Sequence, residues 1–365
     1  MQTSLVISAI AANHGLAVGA RSPTWAVDCF ESCLSMSAYR LFGAETSPYS
    51  VKVRSFLRYK GVDFEWVGRS AATEEEFAAL AKVPTVPLLL SPNRPANQDS
   101  TSIIATLEAD HAEPSAVPDD AACAALALIL EDYADEWLNK LMFFNRWGQK
   151  PDREAAGDRT MAQLLDGDLP RAKRKTRDQI IKRMRDRLPL VGIEKKNEKV
   201  LKPSFDRFFA LLNAHLEKTL FLFGGRPSAA DFALAGQVQQ LMMDPTPANW
   251  LQDKAPFVVA WSEFMDAPKA GGPFKTLSEL DDTLLALFKD EVAVTYMPWA
   301  NANMDAAKRK ADRVSVTLDG KDYEQVTQHY AARAYKAVVQ AVGDAKEAEG
   351  LDAFLDNAGA KAHLG

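Results

Sequence analysis

Apolar and polar positions from residue 39 onward fall into short segments whose period alternates between two residues and about 3.6 residues. The segment from Tyr39 to Phe42 alternates as a strand does. The segment from Ser50 to Tyr59 repeats apolar side chains at spacings of three and four, and Gly61 follows as a helix-ending residue. Further strands are predicted at 64–67, at 88–90 and briefly before Gln98, with helices at 74–80 and 100–110. The order β-α-β-α-β-β-α predicts a small α/β domain over residues 38–112.

After a proline-containing linker at 113–118, the pattern becomes almost entirely helical. Residues 148–200 are charged and weakly apolar, but the segments on either side have the helical period. The predicted helices are 121–147, 205–220, 229–242, 255–265 and 277–291. We therefore expect an all-α domain over residues 119–292.

The last part of the chain departs from this pattern. A helix is predicted at 296–312, an alternating strand at 313–318 and a final helix at 328–342, with Asp319-Gly320 as a hairpin turn. We assign residues 293–365 to a C-terminal extension. Covering a pocket, supporting a dimer and a separate role remain open for it.

Residues 1–37 also differ from the rest, because Arg21, Asp28 and Glu31 are the only charged side chains in their first 35 positions. The apolar run at 5–12 resembles a signal segment, but it lacks a basic start and is too short to span a bilayer. Met36 directly precedes the first strand. We interpret these residues as a mis-started or disordered N-terminal extension, in preference to a targeting segment or an ordered arm.

Composition narrows the class of protein. A chain of 365 residues suggests two or three domains at about 100–200 residues each. With 47% hydrophobic and 25% charged residues, it is not a disordered chain, a collagen or a multispan membrane protein. Three cysteines and five scattered histidines give neither a disulfide scaffold nor a zinc-binding spacing. We expect a cytoplasmic protein with no metal site and no membrane partner.

Charge argues against a nucleic-acid partner, because the net charge is −6. A basic run does extend from Arg171 to Arg187, and such runs bind nucleic acid or anionic membranes in some proteins. Asp178 and Asp186 interrupt the run, and Ile180 and its apolar neighbours punctuate it. We expect a solvated amphipathic helix at this place.

Three segments carry candidate chemistry. Thr46-Ser47-Pro48-Tyr49-Ser50 joins a predicted strand to a helix, where unpaired N–H groups and the helix dipole favour an anion. Val83-Pro84-Thr85-Val86-Pro87 precedes a strand, and a cis proline there would present backbone groups to an extended peptide. Asp99-Ser100 opens a helix, where amides and the serine hydroxyl bind a carboxylate and Asp99 holds an ammonium. Taken singly, each segment is also an ordinary cap or a rigid loop.

Together the three segments resemble the thioredoxin-like domain of glutathione transferases. Ser47-Pro48-Tyr49-Ser50 is similar to the family's active-site turn, with serine at both cysteine positions of the glutaredoxin-type sequence. Val86-Pro87 is similar to the valine and cis-proline pair that binds the cysteinyl backbone of glutathione, and we prefer Pro87 to Pro84 because the strand follows it at once. Residues 221–231 resemble the family's helical-domain segment, in which Ser228 and Asp231 have capping-box spacing.

The resemblance implies an α/β thioredoxin-like domain followed by an all-α helical bundle, with glutathione as co-substrate. It implies that Ser47 donates to the glutathione sulfur and that Asp99 and Ser100 hold the γ-glutamyl end. Tyr49 is a further glutathione-site residue and, with Thr46 and Ser50, a fallback donor.

Lys82 is a candidate partner for the glycine carboxylate, although a solvated loop lysine is the preferred interpretation. The family usually forms homodimers, and a homodimer is expected here.

The implied reaction is attack of the glutathione thiolate on a small hydrophobic electrophile, by conjugation or by glutathione-dependent cleavage. The acceptor pocket is expected on the long helix, around Trp137, Met142, Phe143 and Trp147, for which plain core packing is the other interpretation. Serine at position 47 excludes mixed-disulfide chemistry through that residue. The alternative function is a non-catalytic scaffold or binding protein built on the same fold, and a third is a nucleic-acid binder that uses the basic run.

Overall fold

The computed structural model describes residues 39–167, 173–280 and 282–364, so the predicted N-terminal extension lies outside the described residues. The first unit holds a four-stranded sheet in the order β2-β1-β3-β4. Its strands are β1 (Tyr39–Gly43), β2 (Phe64–Gly68), β3 (Leu88–Leu90) and β4 (Asn97–Gln98). β1 pairs parallel with β2 and antiparallel with β3, and β3 pairs antiparallel with β4.

Three helices complete this unit: α1 (Pro48–Tyr59), α2 (Glu74–Leu80) and α3 (Ser100–Asp110). Helix α1 buries Val53, Phe56 and Leu57 in the same core cluster as Leu41 of β1. These apolar positions gave the helical period in the sequence, so burial of one helix face explains the pattern. The unit has the predicted thioredoxin-like α/β class, and its element order is as expected.

The second unit is helical, as predicted. Its helices are α4 (Ala121–Tyr133), α5 (Asn139–Gly148), α6 (Lys150–Leu164), α7 (Lys173–Arg185), α8 (Glu198–Leu216), α9 (Ala229–Met242), α10 (Pro245–Lys254) and α11 (Pro256–Phe264). A π-helical turn, Ala134–Leu138, joins α4 to α5 without a break. Short 3-10 turns occur at Leu188–Val191, Lys195–Asn197 and Leu277–Glu279. Helix α7 is amphipathic as expected, because it buries Thr176, Ile180 and Ile181 and exposes most of its basic side chains.

The remaining elements are α12 (Asp282–Leu287), a π-helical segment (Phe288–Tyr296), α13 (Met297–Lys308), the hairpin β5 (Arg313–Leu318) and β6 (Lys321–Val326), α14 (His329–Asp344), α15 (Leu351–Asn357) and a 3-10 turn (Lys361–His363). The helix from Asp282 to Lys308 is continuous, and it crosses residue 292 without interruption. Pro298 lacks the N–H that would bond to Val294, and the Val294 carbonyl accepts instead from the N–H of Asp319 in the hairpin turn, at 3.1 Å.

The extension shares one core with the helical unit. The ring of Trp137 lies 5.8 Å from that of Trp299 and 5.7 Å from that of Tyr323, centroid to centroid. All three side chains are buried, as is Tyr296. In the part of the chain that the structure covers, no helix combines the length and apolar character that crossing a membrane requires.

Candidate functional site

The three segments singled out in the sequence meet at one edge of the sheet. Phe42 of β1 pairs with Leu88 of β3, and Leu88 pairs in turn with Gln98 of β4. Because both pairings are antiparallel, the chain leaving β1, the chain entering β3 and the chain leaving β4 lie side by side. The register therefore brings Ser47, Pro87 and Asp99 to the same edge.

Ser47 caps the N-terminus of α1. Its Oγ accepts a hydrogen bond from the backbone N–H of Ser50 at 3.3 Å, and the side chain is half-buried. Of the fallback donors, Thr46 donates its hydroxyl to Gln163 Oε1 at 3.4 Å, and the buried Ser50 Oγ has no hydrogen-bond partner among the described residues. Ser47 thus stands where the helix N–H groups favour an anion.

Tyr49 points toward the helical unit. Its hydroxyl donates to the backbone oxygen of Asp135 at 2.8 Å, and burial raises its pKa well above the ordinary tyrosine value. The hydroxyl is therefore protonated at neutral pH and is bonded across the boundary between the two units. Its contact suits positioning of the turn better than donation to a ligand.

Side chains of the helical unit hold this turn from behind. Gln240 donates from Nε2 to the Glu45 carbonyl at 2.9 Å, and Arg146 donates from Nη1 to the Thr46 carbonyl at 3.4 Å. Asp244 fixes Arg146, because its Oδ2 accepts from Arg146 Nε at 2.7 Å. Sequence reasoning missed these residues, because the contacts join positions about a hundred or more residues apart and leave no local pattern.

Gly236 on α9 faces the same turn. A Cβ at this position would lie 2.6 Å from the backbone oxygen of Pro48, which is far inside ordinary contact distance. Only glycine allows this approach of helix to turn. The close packing fixes the position of the α1 N-terminus relative to the helical unit.

The Val86–Pro87 peptide bond is cis, as predicted for Pro87 in preference to Pro84. No described residue hydrogen-bonds the backbone N–H or C=O of Val86. Both groups are therefore available to pair with an extended peptide.

The side-chain amide of Gln98 holds the loop that leads to Pro87. Its Oε1 accepts from the N–H groups of Lys82 at 2.7 Å and Val83 at 3.1 Å. Its Nε2 donates to the carbonyls of Val83 at 2.8 Å and Thr85 at 2.9 Å. The Lys82 side chain itself is exposed.

Asp99 and Ser100 begin α3. Asp99 is the N-cap with φ 86°, and its Oδ1 accepts from the N–H groups of Thr101 at 3.0 Å and Ser102 at 3.3 Å. Its Oδ2 accepts from the hydroxyl of Tyr330, on the distant helix α14. Ser100 is buried in the first turn. The sequence singled out Asp99 and Ser100, but it gave no sign of Tyr330.

A buried ion cluster lies beside these residues. Lys52, only 1% exposed, places Nζ 2.7 Å from Glu131 Oε1 and 2.7 Å from Asp135 Oδ2. Burial opposes the charge on Lys52, but the two carboxylates outweigh it and its pKa rises. Burial also raises the pKa of Asp135 to about 6, although Lys52 acts in the opposite direction. The cluster joins α1 to the helix that continues through Ala134–Leu138.

The expected acceptor pocket is not formed by the residues named for it. Trp137, Met142 and Trp147 are buried in the main core, and only Phe143 is half-buried. Trp299 and Tyr323 of the extension pack on Trp137 and fill the space beside it. Core packing, the other interpretation, applies to these three residues, so they do not line a pocket.

Ser228 and Asp231 form the predicted capping arrangement at the start of α9. Asp231 is buried, and its carboxylate accepts from the N–H of Leu222 at 3.0 Å and the N–H of Ser228 at 2.8 Å. Burial raises its pKa to about 6. Asp231 has the structural role expected for it.

Comparison with known proteins places these features in a family. A family model described as "Glutathione S-transferase, N-terminal domain" matches residues 41–115, and one described as "Glutathione S-transferase, C-terminal domain" matches residues 179–264. A search of curated proteins finds no match.

The solved structures that match this chain are distant from it in sequence. A tau-class glutathione S-transferase from mango, Mangifera indica, is 18% identical with a TM-score of 0.41, over 64% of this chain and 90% of its own. A beta-etherase from Sphingobium sp. strain SYK-6 is 18% identical with a TM-score of 0.46, over 70% of this chain and 100% of its own.

Proposed function

The chain belongs to the glutathione S-transferase family, and we propose that it is an enzyme that activates the thiol of glutathione for attack on a small hydrophobic electrophile. The reaction is conjugation or glutathione-dependent cleavage, and no residue of the site selects between them. One observation carries the proposal: the pairing of Phe42 with Leu88, and of Leu88 with Gln98, sets three candidate glutathione-binding segments at one sheet edge.

In this proposal glutathione lies extended across that edge. Its cysteinyl backbone pairs with the unoccupied N–H and C=O of Val86, next to cis Pro87. Its γ-glutamyl carboxylate meets Ser100 at the N-terminus of α3, and its ammonium meets Asp99. We assign the glycine carboxylate to the exposed Lys82.

Ser47 then acts on the sulfur. Its Oγ accepts from the Ser50 N–H, so its own proton is left to donate. A free thiol has a pKa near 8.5 and is mostly protonated at pH 7, and each unit by which the site lowers that value is worth about 1.4 kcal/mol. Donation from Ser47 and the N-terminus of α1 both stabilise the thiolate.

The electrophile binds beside the sulfur, between the two units. Of the apolar set considered for it, Phe143 alone retains exposed surface. We further propose a cytoplasmic homodimer without nucleic-acid or membrane partners, in keeping with the net charge of −6.

Glutathione binding by calorimetry, together with turnover of an aryl halide and an aryl ether, tests the proposal. We expect saturable binding to the full chain that weakens in Asp99→Ala and Ser100→Ala but not in Ser102→Ala, a matched control whose hydroxyl donates to Asn97. Ser47→Ala should keep binding and lose turnover, whereas loss in Ser50→Ala instead would make Ser50 the donor. Absence of binding at millimolar glutathione would refute the proposal.

A non-catalytic scaffold is the alternative function. It predicts that glutathione binds, or fails to bind, with no turnover of any electrophile by the wild-type protein. A turned-over electrophile would exclude this alternative.

A further inference from the structure

The C-terminal extension touches the candidate glutathione site through one side chain. Tyr330, near the start of α14, donates its hydroxyl to Asp99 Oδ2 across a separation of 231 residues. Partial burial of the phenol and the neighbouring Asp99 raise the pKa of Tyr330, so its phenol stays protonated and remains a donor at neutral pH. The phenol can therefore donate to Asp99 throughout the physiological range.

Helix α14 holds Tyr330 in place. Its face toward the core buries Ala331, Ala332 and Tyr335, and the Tyr335 hydroxyl donates to the His363 carbonyl at 2.8 Å. Just before the helix, the N–H of Gln328 donates to Asn303 Oδ1 at 2.8 Å. Tyr330 itself is 53% exposed. The backbone is thus anchored, while the ring stands at the solvent edge of the site.

The two oxygens of Asp99 have separate tasks. Oδ1 caps α3 through the N–H groups of Thr101 and Ser102. Oδ2 is the oxygen left for a ligand, and the phenol of Tyr330 already occupies it. An ammonium that approaches Asp99 therefore meets an oxygen that already accepts one hydrogen bond.

This contact changes how the site treats a ligand without an amino group. A carboxylate that faces a ligand lacking its partner is left unpaired, and sites with such a group reject that ligand strongly. Here the Tyr330 hydroxyl pairs with Asp99 when the ligand brings no ammonium. The penalty for a missing amino group is therefore reduced.

We propose that Tyr330 sets the ligand selectivity of the γ-glutamyl end, so that the protein accepts thiol peptides lacking the free amino group in addition to glutathione itself. This inference rests on the proposed function, because it assumes that Asp99 faces the γ-glutamyl end. It makes a residue of the C-terminal extension a specificity determinant of a site built by the thioredoxin-like domain.

The test compares two ligands on the full chain by calorimetry: glutathione, and glutaryl-cysteinyl-glycine, which is the same tripeptide without the amino group. For the wild-type protein we expect similar dissociation constants, within about threefold. In Tyr330→Phe the ratio of the two constants should rise about tenfold in favour of glutathione, which is the loss expected for one hydrogen bond to a charged group. In Asp99→Asn, adding Tyr330→Phe should leave the ratio unchanged.

Tyr39→Phe is the matched control. It also removes one phenol hydroxyl, but that hydroxyl contacts His111 at the other end of α3. The ratio should stay at the wild-type value in this variant. An unchanged ratio in Tyr330→Phe, with both ligands bound, would overturn the inference and leave the proposed function standing. If neither the wild-type protein nor any variant bound glutathione, the inference and the proposed function would both be overturned.

Discussion

Replacing Gly236 by alanine tests whether the helical unit positions the candidate active-site turn, residues 46–50. The added Cβ would lie 2.6 Å from the backbone oxygen of Pro48, about 0.8 Å inside the 3.4 Å at which ordinary contact begins. A backbone oxygen cannot rotate away as a flexible side chain can, so α9 and the turn must separate. Overpacking of this kind costs about 1–3 kcal/mol, and the better helix propensity of alanine returns up to about 1 kcal/mol.

We therefore expect Gly236→Ala to lower the free energy of unfolding by about 1–2 kcal/mol in urea denaturation. Gly343→Ala is the matched control, because Gly343 also lies in a helix but nothing stands within 4 Å of its Cβ position. That variant should be neutral or slightly more stable than the wild type.

Gly236→Ala should also reduce turnover, and by more than the loss of folded protein explains. Pro48 directly follows Ser47, so displacement of the turn by a large fraction of an ångström moves the candidate donor relative to bound glutathione. Misplacement by about 1 Å costs as much as a hundredfold in rate. We expect turnover to drop about tenfold or more, with glutathione affinity changed less. A Gly236→Ala protein with the stability and turnover of Gly343→Ala would refute the reasoning.

Three further predictions concern Asp231, Gln98 and Asp132. Asp231→Ala should lower the free energy of unfolding by about 3 kcal/mol in urea denaturation, because it removes a cap and leaves the buried N–H groups of Leu222 and Ser228 without their acceptor; wild-type stability would contradict this. Gln98→Ala should weaken glutathione binding several-fold in calorimetry, because it releases the 82–85 loop. Gln98→Glu keeps the two hydrogen bonds that Gln98 accepts and loses the two that it donates, so its affinity for glutathione should lie between those of the wild type and Gln98→Ala. Burial raises the pKa of Asp132 to about 7, although the hydrogen bond from Tyr296 acts in the opposite direction. Protonated Asp132 therefore stabilises the folded state at a pH below the ordinary pKa near 4, and this stabilisation is lost as the pH rises to 7. Asp132→Asn should therefore raise the melting temperature relative to the wild type at pH 8, and this gain should vanish near pH 4. An equal gain at pH 8 and pH 4 would contradict the raised pKa of Asp132.

The thioredoxin-like domain was readable from the sequence because its elements obey local rules. Glu74–Leu80, Leu88–Leu90 and Ser100–Asp110 begin and end where the pattern places them. Each is bounded by a turn or capping signal and buries one clear face. The cis bond before Pro87 was expected from the resemblance, with the strand that follows at once deciding between two prolines.

The helix from Asp282 to Lys308 was predicted in two pieces. Its nine π-helical residues, Phe288–Tyr296, break the 3.6-residue period on which the prediction relied. Proline is common in the first turn of a helix, so Pro298 is compatible with the predicted start at residue 296. Within the continuous helix, the Val294 carbonyl that Pro298 leaves without a donor accepts a hydrogen bond from the N–H of Asp319. No local pattern in the sequence reveals this contact.

Only part of the candidate site could be predicted from the sequence, for a related reason. Ser47, Val86, Pro87 and Asp99 belong to local motifs, whereas Tyr330 reaches Asp99 from the far end of the chain. Trp137 was considered for a pocket because an apolar stripe looks the same whether a ligand or a neighbouring element covers it. Here Trp299 and Tyr323 cover it.

The shared core around Trp137 also bears on how the protein is made. Synthesis proceeds from the N-terminus, so the ribosome completes the thioredoxin-like domain and α4 to α11 before it adds Trp299 and Tyr323. Until those two rings emerge, the indole of Trp137 lacks the partners that bury it. The nascent helical unit must therefore wait for the last elements of the chain before it is fully packed, and a prematurely terminated product would carry that aromatic surface uncovered.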